Sequence, residues 1–259
     1  MKLNQTFKEN KDQKWIFITQ GGNQGDHMIY AGARKLADRH KLDYREVKMG
    51  RGNMLTPKIA EDTTIYIQGG GGWCTWWNWT PRLVNHIAET YPNNHIIVGP
   101  STVALQDWYI DKWLPTKKIT FIAREDTTYN YMKKRNVDLH LDQDTALHLK
   151  KGDKWLTPLL QGDSVEPFKL AAIREDPESP DKLPESVDLG DYDIVIDPCQ
   201  TKLWGQLHVY ATEILTNRSH SAILGAILGK KTKMFKGKYH KNRSIWKHSL
   251  EKRGVEWVE

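Results

Sequence analysis

Arg218 and His220 stand two residues apart where a predicted strand over 213–217 gives way to a helical pattern. At such a junction the arginine could clamp a carboxylate or phosphate through two parallel hydrogen bonds. The histidine could act as a general acid. A single histidine is more often structural, but the neighbouring arginine at a strand end favours a functional role for this pair.

Other cations stand at similar positions. Arg174 follows the predicted strand 169–173, and the ends of parallel strands form the ligand edge of an open α/β sheet. Lys241 and Asn242 open the last helical pattern of the chain and would add donors for a phosphate group. The alternative for this last segment is a solvated basic face.

A glycine-containing turn over 21–26 joins the predicted strand 15–19 to a helix predicted from about 27 to 39. Gly25 would let the backbone come close to a ligand. The N–H groups of Asn23 and its neighbours, with the positive end of the helix dipole, would favour an anion. The spacing matches neither a P-loop nor a G-x-G-x-x-G motif. The alternative is a tight turn in which Asp26 is an ordinary N-cap residue.

A second glycine run, which contains Gly70 and Gly71, follows the predicted strand 63–68, and a cluster of indoles that includes Trp73 and Trp76 comes next. Glycines at a strand end predict a backbone held open at a ligand crevice, and indole faces suit the C–H groups of a sugar. Arg124 ends another predicted strand, at the same kind of edge. The alternative is that the indoles pack beneath the loop as a small core of their own.

Composition limits the classes of protein. The 259 residues are 39% hydrophobic, which allows one large domain or two modest ones. A polar N-terminus and the absence of a long apolar stretch predict a cytoplasmic protein without a signal peptide or a membrane span. The two cysteines predict reduced thiols rather than a disulfide scaffold, and no metal-ligand spacing is present, so neither a metal nor a cofactor is expected.

The formal net charge of +6 comes largely from residues 230–253, which contain ten Lys or Arg and one acid. This basic segment predicts a solvated face, an anionic acceptor or peripheral contact with the inner face of an anionic membrane. The sequence has no pattern that resembles a zinc finger, a leucine zipper or an RNP motif, which argues against nucleic-acid binding.

Apolar runs that alternate with helical patterns predict an α/β protein with mostly parallel sheets. The further predicted strands are 95–99, 118–123, 137–141, 193–196 and 232–235. The further predicted helices are one that runs to residue 91 with Thr80 as its N-cap residue, one that begins near 126 or 127, 218–228 and 244–253. Residues 150–167 have weak periodicity, and the sequence therefore predicts two Rossmann-like lobes, 1–160 and 161–259, the second of them short.

Taken in order, these segments resemble the motifs of the polysaccharide pyruvyl transferase family. The matching segments are the G-N-x-G-D pattern at 22–26, the glycine run 69–72, the segments 98–101, 123–129 and 141–146, the R-x-D-x-E-like stretch 174–178, the T-x-R-x-H pattern at 216–220, and the K-N pair at 241–242. Ser219 stands where the family usually has leucine, and His240 where it has glycine.

The resemblance implies an architecture similar to that of the B-type glycosyltransferases, with the acceptor bound by the first lobe and the donor by the second. It implies transfer of an enolpyruvyl group from phosphoenolpyruvate to a sugar or lipid-linked glycan, giving a pyruvate ketal. His220 would be the acid and Asp26 the weaker candidate for the base. Two alternatives stay open: a nucleotide-sugar glycosyltransferase with the same fold, and a non-catalytic carbohydrate-binding relative.

Overall fold

The computed structural model describes residues 2–49, 57–156, 166–200 and 203–259. The chain forms two compact units. Unit 1 comprises residues 1–22 and 29–148, and unit 2 comprises residues 23–28 and 149–259. The predicted division at 160 therefore lies later than the observed one, and the short segment 23–28 belongs with the C-terminal part of the chain.

Unit 1 is built on a six-stranded parallel sheet in the order β2-β1-β3-β4-β5-β6. Its strands are β1 (Lys14–Thr19), β2 (Asp43–Lys48), β3 (Thr64–Cys74), β4 (Ile96–Ala104), β5 (Ile119–Ala123) and β6 (Val137–Leu141). Its helices are α1 (Lys2–Glu9), α2 (Gln24–His40, whose first turn belongs to unit 2), α3 (Trp79–Thr90), α4 (Asp107–Trp113) and α5 (Asp126–Met132).

Helices cover both faces of this sheet, and this explains why its central strands are apolar on both sides. In β1, Trp15 and Phe17 face a cluster formed with α1 and α2, whereas Ile16 and Ile18 face a cluster formed with α3, α4 and α5. The alternation of side chains along the strand places the two sets on opposite faces.

Unit 2 contains a five-stranded parallel sheet in the order β11-β10-β9-β7-β8. Its strands are β7 (Phe168–Ala172), β8 (Ile194–Ile196), β9 (Ala211–Thr216), β10 (Lys231–Met234) and β11 (Glu256–Trp257). Its helices are α6 (Trp204–Tyr210), α7 (Ser219–Leu228) and α8 (Lys241–Ile245), and α8 continues through π-helical and 3-10 turns to Arg253. The predicted α/β class with two mostly parallel sheets is confirmed.

Several boundaries differ from the predictions. Helix α2 begins at Gln24 rather than near residue 27. The glycine run is not a loop after β3, because that strand continues through it to Cys74. Helix α3 begins at Trp79 with Asn78 as its N-cap residue rather than Thr80, whose hydroxyl donates to the Gln20 side chain at 2.7 Å.

Five of the elements named above were not predicted: α1, α4, α6, β2 and β11. All are short or polar, and β2 is a largely exposed edge strand. Among the described helices, none is both long enough and apolar enough to cross a membrane.

Candidate functional site

The C-terminal ends of three adjacent strands bring charged residues together in unit 2. Arg174 follows β7, Asp197 follows β8 and Arg218 follows β9, and these strands are neighbours in the order β9-β7-β8. Because the strands are parallel, these ends meet at one edge of the sheet. The predicted cations Arg174 and Arg218 are therefore neighbours.

Arg174 is enclosed by carboxylates. Its Nε and Nη2 atoms donate to the two Asp176 oxygens at 2.9 and 2.8 Å, and its Nη1 donates to Glu178 Oε2 at 2.8 Å. The same Glu178 oxygen accepts a hydrogen bond from Lys241 Nζ. Arg174, Glu178 and Lys241 are all buried. Arg174 and Lys241 therefore both have carboxylate partners within the protein itself.

The pKa values of these acids follow from that arrangement. Burial alone would raise the pKa of Asp176, but the hydrogen bond and charge of Arg174, helped by the charge of Arg218, lower it to about 2. Burial likewise opposes ionisation of Glu178, and Lys241 and Arg174 outweigh it, so its pKa lies below its ordinary value. Both carboxylates are therefore ionised at neutral pH.

Arg218 has a different environment. Its Nη2 donates to Asp176 Oδ2 at 3.1 Å and also to Asp197 Oδ2, and the residue is only 4% exposed. Within the described part of the chain, its Nε atom has no hydrogen-bond partner. Arg218 is thus a buried arginine whose Nε–H group is unsatisfied among the described residues.

An amide network ties this edge together. Asn217 Oδ1 accepts from the Arg174 backbone N–H at 2.7 Å. Asn242 Nδ2 donates to the Asn217 carbonyl at 2.6 Å, and Asn242 Oδ1 accepts from Ser219 Oγ at 2.9 Å. Asn242 was predicted to bind the donor, but these bonds and its 1% exposure make it a support for the ends of β9 and α7.

Three cations (Arg174, Arg218 and Lys241) and three carboxylates (Asp176, Glu178 and Asp197) thus form a formally neutral network. The charges of Arg174 and Lys241 are compensated inside the protein, and their direct binding of an anionic donor stays a prediction. Sequence reasoning did not assign roles to Asp176, Glu178 or Asp197. A signal existed for Asp197, because it directly follows a predicted strand, as Arg218 does.

His220 lies against the first turn of α2. A Cβ atom added to Gly25 would lie 2.3 Å from His220 Nδ1, 2.6 Å from its Cγ and 2.8 Å from its Cβ. Only glycine leaves room for this approach of the ring to the helix backbone. The two sequence motifs around Gly25 and His220 therefore meet in unit 2.

The polar residues of that turn serve mainly as caps. Asp26 Oδ2 accepts from the Asn23 backbone N–H at 2.9 Å, and Asn23 Oδ1 accepts from the Gly25 backbone N–H at 2.9 Å. These bonds satisfy N–H groups that an anion would otherwise use. Asn23 and Gly25 therefore contribute to the site through the helix dipole and the space beside His220.

Cys199 lies close to the same groups. Burial raises the pKa of its thiol to about 11, and the charges of Arg218 and Asp26 are among the smaller influences on it. A thiol with this pKa is protonated at neutral pH and is a poor nucleophile. Neither cysteine forms a disulfide and both are buried, which is consistent with the prediction of reduced thiols.

In unit 1, two predicted acceptor residues are inaccessible. Trp73 is fully buried, and its ring meets that of Phe121 edge-on at 5.4 Å between centroids. Arg124 is 1% exposed and donates to Asp144 at 2.6 Å and to Thr102 at 2.8 Å. The prediction that Trp73 and Arg124 contact an acceptor is corrected: both are core residues.

The glycine run has a packing role. A Cβ atom at Gly69 would lie 1.9 Å from the Pro100 carbonyl oxygen of the neighbouring strand β4. Gly70 is buried and Gly71 partly exposed within β3. Of the predicted acceptor residues, Gly71 and the half-buried Trp76 keep access to solvent.

No group of three or more His, Cys, Asp or Glu side chains in the described residues is arranged to hold a metal ion. By its fold, this protein is an α/β protein with two Rossmann-like units. The second unit carries a buried ionic network at the edge of its parallel sheet.

One solved structure with this fold is that of a functionally uncharacterized protein from Klebsiella pneumoniae. It matches with a TM-score of 0.70 over 100% of this chain and 97% of that chain, at 19% sequence identity. At this identity the likeness shows the fold alone. No protein-family model matches the chain, and no curated protein matches it.

Proposed function

We propose that this protein is a transferase that moves an enolpyruvyl group from phosphoenolpyruvate to a sugar hydroxyl. The observation that carries the proposal is the meeting of His220 with the first turn of α2, beside the buried Arg218. An acid, an arginine donor and the positive end of a helix lie near each other at the ligand edge of a parallel sheet.

The chemistry requires these groups. Phosphoenolpyruvate carries a carboxylate and a phosphate, and Arg218 could bind either through its unsatisfied Nε–H group. Protonated His220 would deliver a proton to the methylene carbon of the donor, which creates a positive centre at the carbon bearing the phosphate. A sugar hydroxyl would attack that centre and lose its proton to a base, for which Asp26 is the candidate.

The remaining steps balance the reaction. The bond between that carbon and the phosphate oxygen breaks, and the phosphate leaves with the bonding electron pair and takes the proton held by Asp26, as hydrogen phosphate. A second hydroxyl of the same sugar then attacks the carbon and closes the ketal. Its proton returns to the histidine, which restores the acid for the next turnover.

The neutral network would keep Arg218 in position for donor binding. Asp176 and Asp197 hold Arg218 in place before any ligand arrives, so little side-chain ordering is needed when the donor binds. Arg174 and Lys241 in turn hold Asp176 and Glu178. We assign these five residues to positioning and Arg218 to donor contact.

The basic segment 230–253 gives little support to a membrane contact. Six of the ten cations in the basic segment form ion pairs with acids of the protein, namely Lys231, Lys233, Lys238, Lys241, Arg243 and Lys247. This pairing lowers the charge available to anionic lipid.

Calorimetric titration with phosphoenolpyruvate tests the donor assignment. Wild type should bind, and Arg218→Ala should lose most of the affinity, whereas Leu203→Ala, an exposed residue of the same unit, should bind as wild type does. With an acceptor present, His220→Gln should lower kcat by about 10²–10⁴-fold with little change in donor affinity. Equal binding by wild type and Arg218→Ala would refute the donor site.

The same titration separates the alternatives. Binding of UDP- or GDP-sugars in place of phosphoenolpyruvate would identify a nucleotide-sugar glycosyltransferase. A protein that binds glycans but none of these donors would be the non-catalytic relative.

A further inference from the structure

Two exposed tryptophans of unit 1 belong to the region where α3 and α4 are in contact: Trp77 stands two residues before α3, and Trp108 is in α4. Trp108 is 63% exposed and Trp77 is 44% exposed. Tryptophan is highly buried on average, because its ring removes a large apolar area from water. Two exposed indoles in the same region therefore indicate a surface that binds something.

The rings of this face are held in fixed positions. Trp108 Nε1 donates to Gln106 Oε1 at 2.5 Å, and its ring meets that of Tyr109 edge-on at 5.5 Å between centroids. The Tyr109 hydroxyl accepts from Arg82 Nε at 2.9 Å and donates to the Asn78 carbonyl at 3.3 Å. Asn78 directly follows Trp77, which connects the two exposed indoles. A surface fixed in this way loses little freedom when a ligand binds.

Two cations lie among the rings. The Arg82 guanidinium carbon is 5.9 Å from the Tyr109 centroid and 5.3 Å from that of Trp113, and Lys112 Nζ is 5.4 Å from the Trp113 centroid. These distances are those of cation–π contacts.

The charges of Arg82 and Lys112 are not compensated within the described ranges of the chain, where neither residue forms an ion pair. The acids of α4 are engaged elsewhere: Asp107 pairs with Lys134 at 2.7 Å and with Arg135 at 2.7 Å, and Asp111 pairs with Arg135 at 3.4 Å. The aromatic face therefore carries a local positive charge.

We propose that this aromatic–cationic face, formed by Trp77, Arg82, Trp108, Tyr109, Lys112 and Trp113, is a docking site for an acidic glycan. Sugar rings would stack their C–H faces on the indoles, and carboxylates along the glycan would pair with Arg82 and Lys112. Charge complementarity favours an acidic glycan over a neutral one. The proposal does not depend on pyruvyl transfer, because it concerns a separate surface and binding alone.

The test measures affinity for hexagalacturonate, an acidic oligosaccharide, and for maltohexaose, a neutral one. Wild type should bind the acidic probe more tightly, with an affinity that falls as salt rises. Trp108→Ala should weaken binding of hexagalacturonate about tenfold, which corresponds to about 1.4 kcal/mol. Trp108 is largely exposed, so this variant should keep its fold, as circular dichroism would verify. Leu203→Ala, which truncates an exposed side chain of unit 2, is the matched control.

A second variant tests the charge. Arg82→Gln should reduce the affinity for hexagalacturonate and make that affinity less dependent on salt. The affinity for maltohexaose should stay unchanged. Arg82→Lys, which keeps the charge, should recover part of the lost affinity for hexagalacturonate. Binding should persist in Arg218→Ala, which keeps this test independent of the donor site.

Three results would overturn the proposal. One is the absence of binding by wild type to either oligosaccharide at millimolar concentration, and another is equal binding by wild type and Trp108→Ala. The third is sedimentation showing self-association that Trp108→Ala abolishes, because the face would then join two copies of the chain.

Discussion

Replacing Gly25 by alanine tests the contact on which the candidate site depends. The added Cβ would lie 2.3–2.8 Å from three atoms of His220, one of which is the His220 Cβ. Rotation of the imidazole ring alone therefore cannot relieve the overlap. Overpacking of this kind costs about 1–3 kcal/mol. Alanine also favours the helix over glycine by about 1 kcal/mol, which opposes the loss. We expect a net destabilisation of roughly 0–2 kcal/mol.

A double-mutant cycle separates the two effects. His220→Gly removes all three contacting atoms, so in that background Gly25→Ala should retain only the gain in helix propensity. The coupling energy between the two sites should therefore be about 1–3 kcal/mol. Urea denaturation of the four proteins gives this quantity directly.

Gly152→Ala is the matched control, because an added Cβ there would have no neighbour within 4 Å. It should change stability equally in the wild-type and His220→Gly backgrounds. If the coupling between Gly25 and His220 is below about 0.5 kcal/mol, the ring does not lie against the helix, and the reasoning about the site is wrong.

Three further predictions concern buried charges. Burial lowers the pKa of His208 to about 4, against a weaker opposing hydrogen bond to the Trp204 carbonyl, so the unfolded chain binds more protons between pH about 4 and 6.5. The free energy of unfolding should thus rise with pH over that window, by at most about 3 kcal/mol. Denaturation of His208→Gln should lack this dependence on pH, and an unchanged dependence would contradict the assignment of a low pKa to His208. Arg124→Ala should cost about 3–5 kcal/mol by removing an ion-pair partner of the buried Asp144 carboxylate, and a loss below 1 kcal/mol would show that the pair is solvated. Asp176 has a lowered pKa, so its contribution should be present above pH about 4 and be lost towards pH 2; Asp176→Asn should unfold with a flatter acid limb, and identical acid limbs would refute the pairing.

The parallel sheets were predictable because short strand-like segments alternate with helical patterns, and some of these segments, such as IIVG in β4 and ITFIA in β5, are nearly continuous apolar runs. Strand β6 was predicted with its observed ends, Val137–Leu141, and β5, β7 and β9 were predicted within two residues. Strand β2 was missed because an exposed edge strand carries polar residues that also suit a loop. Helices α4 and α6 have seven residues each, which is too short for a periodic pattern to stand out.

The candidate site was only partly predictable. A strand-end position correctly brought Arg174 and Arg218 to the same sheet edge. The sequence, however, suggested a ligand for each cation and no partner within the protein. Arg218 and Asp176 are 42 residues apart in the chain, and Lys241 and Glu178 are 63 apart. Tertiary packing sets ion pairs over such separations, so the sequence alone does not reveal them. Trp73 illustrates the same limit, since an indole at a strand end can face either a ligand or the core.

Thermal unfolding with and without phosphoenolpyruvate tests the central claim most directly, with UDP-glucose, GDP-mannose and inorganic phosphate as matched ligands. At a concentration of 100 times its dissociation constant, a specific ligand adds about 2.7 kcal/mol to the stability of the folded state. We predict a rise in Tm with phosphoenolpyruvate that Arg218→Ala abolishes and Leu203→Ala retains. A rise with a nucleotide sugar instead, or a rise with phosphoenolpyruvate that survives in Arg218→Ala, would contradict the account.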